Sequence, residues 1–220
     1  MTCLRIICTL DWSQNMDLSK PSAVISSSLD AAVLSVLAGT TDRFTGREVA
    51  RLAGRPPSSV QRALDRLVGQ GLVNAREAGR AVLYKLNREH LAADAVIALA
   101  ELRVELLRHL REEIGSWTVK PDHASLFGSA ARGDGDTSSD IDLFVVRPAA
   151  VDEDDRRWRA QLDRLAERVH AWPGNHAGIA EVSAEEVERL RRERPAVVND
   201  LHRDAVELAG QRLRTMLAPP

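Results

Sequence analysis

The chain has 220 residues, of which 44% are hydrophobic and 28% are charged, so it can form one large or two small globular domains with a buried core. Its two cysteines, Cys3 and Cys8, lie in the N-terminal tail, which excludes a disulfide framework and a cysteine-based metal site. The apolar run over residues 4–10 is too short for a membrane span and lacks the features of a signal peptide. We therefore expect a cytoplasmic protein without a membrane partner.

Charge is divided unevenly along the chain. Residues 28–90 contain ten Arg or Lys and six Asp or Glu, whereas residues 91–220 contain eighteen and twenty-four. Because nucleic acid attracts basic surfaces, the N-terminal part is the better candidate for binding it.

The N-terminal leader, residues 1–23, is predicted to be flexible. A polar segment begins at Met16, and we expect that translation starts there, so that the preceding residues come from a start codon assigned too early. Mass spectrometry of the native N-terminus tests this expectation, and a peptide from before Met16 would contradict it.

Residues 24–90 contain three predicted helices followed by two predicted strands. The first helix follows from helical spacing of apolar residues over 29–37. A capping box of Thr45 and Glu48 starts the second helix, and two prolines precede the third, over residues 58–68. Residues 72–76 and 81–86 are predicted strands joined by a turn with a basic tip.

This order of elements resembles the winged helix-turn-helix family, as do the sequences of the second and third helices. The resemblance implies that the third helix enters the major groove of DNA. The residues implied to approach bases and phosphates are Ser58, Ser59, Gln61, Arg62 and Arg66, with Arg80 at the tip of the wing. The alternative is a solvated surface, because winged helices also serve as protein-interaction modules.

Residues 91–118 are predicted to form one long connector helix. They contain no proline, and apolar residues recur every three or four positions at Val96, Leu99, Leu102, Leu106, Leu110, Ile114 and Trp117. An apolar stripe of this length is expected to be buried against another apolar surface. Two alternatives remain open, namely packing on the C-terminal domain of the same chain and formation of a homodimer with a second copy.

One segment of the C-terminal half is hard to explain by packing alone. A short apolar run ends at Gly128 and Ser129, as a strand does when it enters a tight turn. Farther along, Asp140 and Asp142 alternate with apolar residues, so both carboxylates are predicted on one face of a strand. Two neighbouring like charges are costly unless a cation lies between them. The pattern therefore predicts a cation site.

The Gly-Ser pair, the Arg-Gly-Asp after it and the Ser-Asp-Ile-Asp-Leu run resemble, in order and spacing, the nucleotidyltransferase superfamily that includes DNA polymerase beta, especially its small bacterial members. For residues 119–220 the resemblance implies an α/β (α+β) core with a mixed sheet flanked by helices. It implies transfer of NMP from an NTP to a hydroxyl acceptor, with two Mg²⁺ ions held by Asp140 and Asp142. Gly128 and Ser129 would contact the triphosphate, and Arg132 would add a phosphate contact.

Helices and a further strand complete the predicted C-terminal domain. The helices are predicted over residues 152–172, from a capping box of Ser183 and Glu186 toward Arg192, over 197–208, and after Gly210. The further strand covers residues 177–182. Alternating strands and helices agree with the implied core.

Active members of this superfamily usually carry a third carboxylate on the next strand. Alignment on the junction with the following helix puts that position at Ala180, whereas the acidic residue is Glu181, one position later. Because a shift of one residue turns a side chain to the other face, Glu181 is a catalytic candidate only if a bulge or a different register turns it inward. Two functions therefore stay open. One is an active nucleotidyltransferase with a nucleic-acid- or partner-binding winged helix. The other is a DNA-binding transcriptional regulator whose nucleotidyltransferase-like domain senses nucleotide or is inactive.

Overall fold

The structure is a computed structural model that describes residues 15–24 and 28–218. The chain divides into two compact units. One unit covers Lys20–Arg103, and the other combines residues 15–19 with residues 104–218. Within the described residues, no helix has both the length and the apolar character that crossing a bilayer requires.

The first unit is a winged helix-turn-helix fold, as the sequence predicts. After a 3₁₀ helix at Pro21–Val24, its elements are α1 (Leu29–Ala38), β1 (Phe44–Thr45), α2 (Gly46–Ala53), α3 (Pro57–Gly69), β2 (Val73–Ala78), β3 (Ala81–Leu86) and α4 (Ala93–Ala100). The three strands form an antiparallel sheet in the order β1-β3-β2. The capping box at α2 is present, with Thr45 Oγ1 accepting from the backbone N–H of Glu48. Local capping and apolar spacing therefore define this unit.

The second unit is built on a mixed four-stranded sheet. Its elements are α5 (Leu102–Gly115), β4 (His123–Phe127), α6 (Gly128–Arg132), β5 (Ile141–Val146), α7 (Arg156–Ala171), β6 (Ala177–Val182), α8 (Ala184–Glu193), α9 (Ala196–Asp204), β7 (Val206–Gly210) and α10 (Leu213–Met216). The strand order is β6-β5-β4-β7, and only the β5–β6 pair is parallel. This is the mixed sheet flanked by helices that the sequence predicts.

The two faces of this sheet carry separate apolar clusters. On one face, Ile141 and Leu143 of β5 pack with Trp158 of α7 and with α5. On the other face, Phe144 and Val146 pack with α9 and α10. Alternation along β5 produces this division, so each β5 side chain is assigned to one face. Asp142 shares its face with Phe144.

The predicted single connector helix is wrong. The helix is interrupted at Glu101, which separates α4 from α5. Val96 and Ile97 pack against the winged-helix core, whereas Leu110 and Ile114 pack in the core of the second unit. Residues of the apolar stripe pack in two different cores, so the stripe does not require a single straight helix. The chain itself covers these four residues, and formation of a homodimer through the stripe stays a hypothesis.

The part of the leader that the structure describes is packed, which corrects the prediction of a flexible segment. Leu18 is 3% exposed within the core of the second unit. The backbone N–H of Met16 donates to the carbonyl of Pro173 at 3.0 Å, and that of Ser19 donates to the carbonyl of Gly135 at 3.0 Å. Sequence periodicity gives no sign of these contacts because the partners are distant in the chain. The remaining leader residues, 1–14, lie outside the described residues.

The prediction of helix up to residue 208 is also wrong. Helix α9 ends at Asp204, and β7 pairs with β4 as an edge strand. Apolar side chains at Val206 and Leu208 alternate with Glu207, which suits a strand that has a neighbour. At Gly210, φ is +81° and a β-carbon would collide with the carbonyl of Asp122, so glycine allows the close approach at the strand end.

Candidate functional site

The turn between β4 and α6 is shaped by Gly128. Its φ of +69° lies in the left-handed region, which glycine adopts without a steric penalty. A β-carbon at this position would collide with Oδ2 of Asp142. The absence of a side chain therefore permits the turn and keeps space in front of the Asp142 carboxylate.

Asp140 and Asp142 lie together where β5 begins. Asp140 is exposed, whereas Asp142 is half-buried. The pKa of Asp142 is raised to about 6, mainly by burial and secondly by the charge of Asp140, while Arg132 opposes the rise. A charged carboxylate is disfavoured in such surroundings unless a cation compensates it. The structure thus brings the two predicted metal ligands together.

This pair fits a hard divalent cation. Carboxylate oxygens are the ligands that Mg²⁺ prefers, and the penalty on charged Asp142 is one that a bound cation would remove. Over residues 15–24 and 28–218, no group of three or more His, Cys, Asp and Glu side chains is arranged to hold a metal. The protein would therefore supply two carboxylates, and water and phosphate oxygens would fill the other positions.

Ser129 presents a free hydroxyl beside this pair. Its carbonyl accepts the N–H of Gly133 at 2.9 Å and that of Asp134 at 3.1 Å, which closes the short helix α6. No hydrogen bond of the Ser129 hydroxyl occurs in the described part of the chain. A β-carbon at Gly135 would lie 3.1 Å from this hydroxyl. The hydroxyl is therefore available as a hydrogen-bond donor.

Arg132 is held by two carboxylates. Its Nε lies 3.0 Å from Oδ2 of Asp134, and its Nη1 lies 2.8 Å from Oδ2 of Asp204. The Asp204 side chain is only 5% exposed and also pairs with Arg203 at 2.8 Å. The predicted phosphate contact by Arg132 therefore competes with these ion pairs. Asp204 was not found from sequence because it lies 72 residues away and no local pattern links it to α6.

Glu181 does not face the candidate site, so the structure contradicts its prediction as a catalytic residue. Its Oε1 accepts from Arg147 Nε at 2.7 Å and from Trp158 Nε1 at 3.0 Å. Residue 181 is paired with Val145 in the β5–β6 register, on the face opposite Asp142. The ladder from Ile141 to Val146 is regular, and no bulge turns Glu181 inward.

The positions of β6 on the Asp142 face carry no carboxylate. Gly178 lies opposite Asp142, and Ala180 lies opposite Phe144. A β-carbon at Gly178 would lie 2.9 Å from Oδ1 of Asp142. A side chain at that position would therefore crowd the Asp142 carboxylate, and the third carboxylate that the resemblance implies has no equivalent on this strand.

Asn175 supports the loop that leads to Asp140, although its sequence context indicated only a turn. The residue is fully buried, and its Nδ2 donates to the carbonyl of Ser139 at 2.8 Å. Its Oδ1 accepts the backbone N–H of Met16 at 3.0 Å. Asn175 therefore fixes both the leader and the residue before Asp140. These partners lie 36 and 159 positions away, which explains why sequence reasoning missed them.

The third helix of the winged-helix unit presents its predicted contact residues unequally. Ser58 and Arg62 are exposed, as is Arg80 at the wing. Gln61 donates to the hydroxyl of Tyr84 and to Asp65 Oδ1, each at 2.8 Å.

The other two predicted residues of this helix, Arg66 and Ser59, are less available for contacts with nucleic acid. Arg66 is ion-paired with Asp30 of α1, so its charge is already partly balanced. Ser59 is only partly exposed. Arg62 and Arg80 are therefore the cations of this set that are most available for phosphate contacts.

Two family models match separate parts of the chain. Residues 27–88 match the model described as the sugar-specific transcriptional regulator TrmB, and residues 105–208 match that of the nucleotidyltransferase domain. These matches agree with a winged helix-turn-helix domain followed by a nucleotidyltransferase-like domain.

Several solved structures are similar to parts of the chain. Lactococcus lactis ZitR in complex with DNA is 19% identical over 43% of this chain and 60% of that chain, with a TM-score of 0.29. RV1404 from Mycobacterium tuberculosis is 22% identical over 43% and 68%, with a TM-score of 0.32. A Sulfolobus solfataricus protein assigned as a nucleotidyltransferase is 19% identical over 50% and 86%, with a TM-score of 0.32. No curated protein matches the chain significantly.

Proposed function

We propose that this protein is a Mg²⁺-dependent nucleotidyltransferase that transfers NMP from an NTP to a hydroxyl acceptor and binds nucleic acid through its winged helix. The observation that carries this proposal is the Asp142 carboxylate, half-buried beside Asp140 and facing the space that Gly128 leaves open. A bound cation would remove the penalty on charged Asp142, and the space beside Gly128 leaves room for a ligand. A cytoplasmic location agrees with both substrates, the NTP and the hydroxyl acceptor.

The residues of the site would have different roles in the reaction. Bound Mg²⁺ supplies neutralisation of charge on the α-phosphate and on the leaving pyrophosphate. Asp140 and Asp142 would hold the metal, and Ser129 would donate its hydroxyl to a phosphate oxygen. Arg132 would contribute positive charge, while Asp204 and Asp134 keep its guanidinium beside the loop.

No side chain of β6 can take the proton of the attacking hydroxyl on the Asp142 face. Gly178 and Ala180 have no ionisable group, and Glu181 lies on the opposite face. The hydroxyl proton would pass to water instead of a positioned base. Because a positioned general base contributes about 10²- to 10⁴-fold, we expect turnover to be slow.

A second function is favoured by the same strand. The protein would then be a DNA-binding transcriptional regulator whose nucleotidyltransferase domain binds Mg²⁺–NTP without turnover. The supporting observation is that Ala180, which the alignment puts at the position of the family's third carboxylate, and Gly178 on the same face of the strand carry no acidic group. In this case the nucleotide would act as a signal, and its binding would change the affinity for DNA.

Nucleotide transfer and nucleotide sensing are separated by following the nucleotide. The full chain would be incubated with each α-³²P NTP, Mg²⁺ and mixed RNA, with pyrophosphate release measured in parallel and EDTA as the control. Mg²⁺-dependent pyrophosphate release with label transfer supports the enzyme. Saturable NTP binding without pyrophosphate release supports the sensor, and the absence of both binding and release would contradict both functions.

Substitution of Arg62 tests the nucleic-acid surface. We expect Arg62→Ala to weaken binding to a mixed-sequence DNA duplex by about tenfold and to reduce the salt dependence by about one phosphate contact. Arg66→Ala is the comparator because Asp30 already pairs with that guanidinium on the same helix, and its loss should be smaller. Affinity measured by fluorescence anisotropy at several salt concentrations decides the matter. Unchanged affinity in Arg62→Ala would remove this helix from the proposed interface.

A further inference from the structure

A polar cavity lies beside the edge strand of the nucleotidyltransferase domain. Its volume is about 340 Å³, and α9, β7, α10 and α5 all contribute to its lining. The charged and titratable lining residues are Arg111, His202, Arg203, Glu207 and Arg214. Small-molecule sites commonly begin at about 300 Å³. The cavity is therefore large enough for a small phosphorylated ligand.

The cavity lining is predominantly basic. Arg214 has no ion-pair or hydrogen-bond partner among the described residues. Arg111 makes one long contact, from Nη2 to the carbonyl of Glu207 at 3.4 Å. The Glu207 carboxylate accepts the backbone N–H of Leu213 at 3.2 Å, so it caps the start of α10. Two guanidinium groups thus keep donors for an anion, and their planar geometry suits phosphate.

His202 also lines the cavity. Its Nε2 is buried and has no hydrogen-bond partner in the described structure. A buried ring nitrogen without a partner is unfavourable, and such groups usually have one. Ser125, which pairs with Glu207 across the β4–β7 ladder, also has a buried hydroxyl without a partner. Unsatisfied polar atoms therefore accumulate on this side of the sheet.

We propose that this cavity binds the phosphate group of a small phosphorylated ligand, with Arg111 and Arg214 as ionic partners. The presence of His202 and Arg203 in the last turn of α9 can be explained without a ligand, because cationic side chains stabilise the C-terminal end of a helix. This explanation does not apply to Arg111 and Arg214, which come from other helices and converge on the same cavity.

The cavity is connected to the candidate active site by two ion pairs. Arg203 lines the cavity and pairs with Asp204, and Asp204 also pairs with Arg132. A phosphate that attracts Arg203 would act on the same carboxylate that holds Arg132. The ligand is therefore placed to change the charge balance beside Asp142.

Calorimetric titration of the full chain tests the site. Inorganic phosphate and AMP would be titrated separately in EDTA, so that a Mg²⁺-dependent nucleotide site does not contribute. We expect Arg214→Ala to weaken binding by at least about tenfold. Arg212→Ala is the matched control, since Arg212 is exposed two positions away and does not line the cavity. Arg214→Lys, which retains the charge, should lose less affinity than Arg214→Ala.

The outcomes separate this site from the proposed function. Binding of both probes with equal dependence on Arg214 supports recognition of the phosphate group, whereas tighter binding of AMP supports a nucleotide ligand in the same cavity. Asp142→Asn removes no positive charge from the cavity and should change this binding much less than Arg214→Ala does. No saturable binding of either probe, or a loss in Arg212→Ala or in Asp142→Asn equal to that in Arg214→Ala, would overturn the proposal. A melting temperature no lower than that of the wild type shows that a variant is folded.

Discussion

Asp142→Asn is expected to reduce NMP transfer by about 10³-fold, because it removes a metal-binding oxygen charge at the point where Mg²⁺ would stabilise the transition state by several kcal/mol. The same change should abolish the thermal stabilisation that Mg²⁺ and NTP together give to the wild type. Melting temperature with and without Mg²⁺–NTP, and label transfer from α-³²P NTP, provide the two measurements. Asp140→Ala should give the same loss of transfer.

Without ligand, Asp142→Asn should have the opposite effect on stability. The pKa of Asp142 is raised from 3.8 to about 6, so the folded protein retains a proton that the unfolded chain has lost between these values. Stability therefore falls as pH rises through this window, and the penalty is fully present above it. After a discount for partial exposure, it amounts to about 1–2 kcal/mol. The variant should melt about 4 °C higher than the wild type at pH 7.5 and equally at pH 3.5.

A control variant and a contrary result make this prediction specific. Asp163→Asn removes a charge from the exposed face of α7 and should change neither transfer nor melting. The pH dependence of nucleotide binding should follow the same group, with affinity rising as Asp142 loses its proton near pH 6. If Asp142→Asn keeps both label transfer and ligand stabilisation, the assignment of the metal site is wrong.

Glu181→Ala is expected to cause the largest loss of stability, without a specific loss of nucleotide binding. It would leave Arg147, whose side chain is 14% exposed, without its carboxylate partner, and would remove the acceptor of Trp158 Nε1. Removal of one member of a buried ion pair costs about 3 kcal/mol or more. The melting temperature should fall by about 10 °C. Nucleotide affinity measured well below the melting temperature should match that of the wild type.

Two comparisons separate a structural role of Glu181 from a catalytic one. Glu188→Ala removes a surface carboxylate that pairs with Arg191 at 2.9 Å, and should cost less than about 1 kcal/mol. The double variant Glu181→Ala, Arg147→Met removes both charges and should recover part of the lost stability. If Glu181→Ala melts like the wild type but loses label transfer, Glu181 acts in catalysis and the β6 register described here is not the functional one.

Much of the fold could be predicted because its determinants are local. The capping boxes at Thr45 and Ser183 each depend on a residue three positions later, and both are present. The stripe of α7 and the alternation of β5 follow from spacing of apolar residues and pack as expected. The break at Glu101 could not be predicted, because the same apolar spacing is compatible with one core or with two.

The sequence by itself determined the two domain types and the position of Asp140 beside Asp142 on one face of a strand, because capping, periodicity and motif spacing act over a few residues. Tertiary structure decided which face Glu181 occupies and which carboxylates hold Arg132. It also decided that 206–210 forms a strand rather than a continuation of α9. These outcomes depend on where distant segments return to the sheet. Local spacing carries no information about such partners, and the chemistry of this site depends on them.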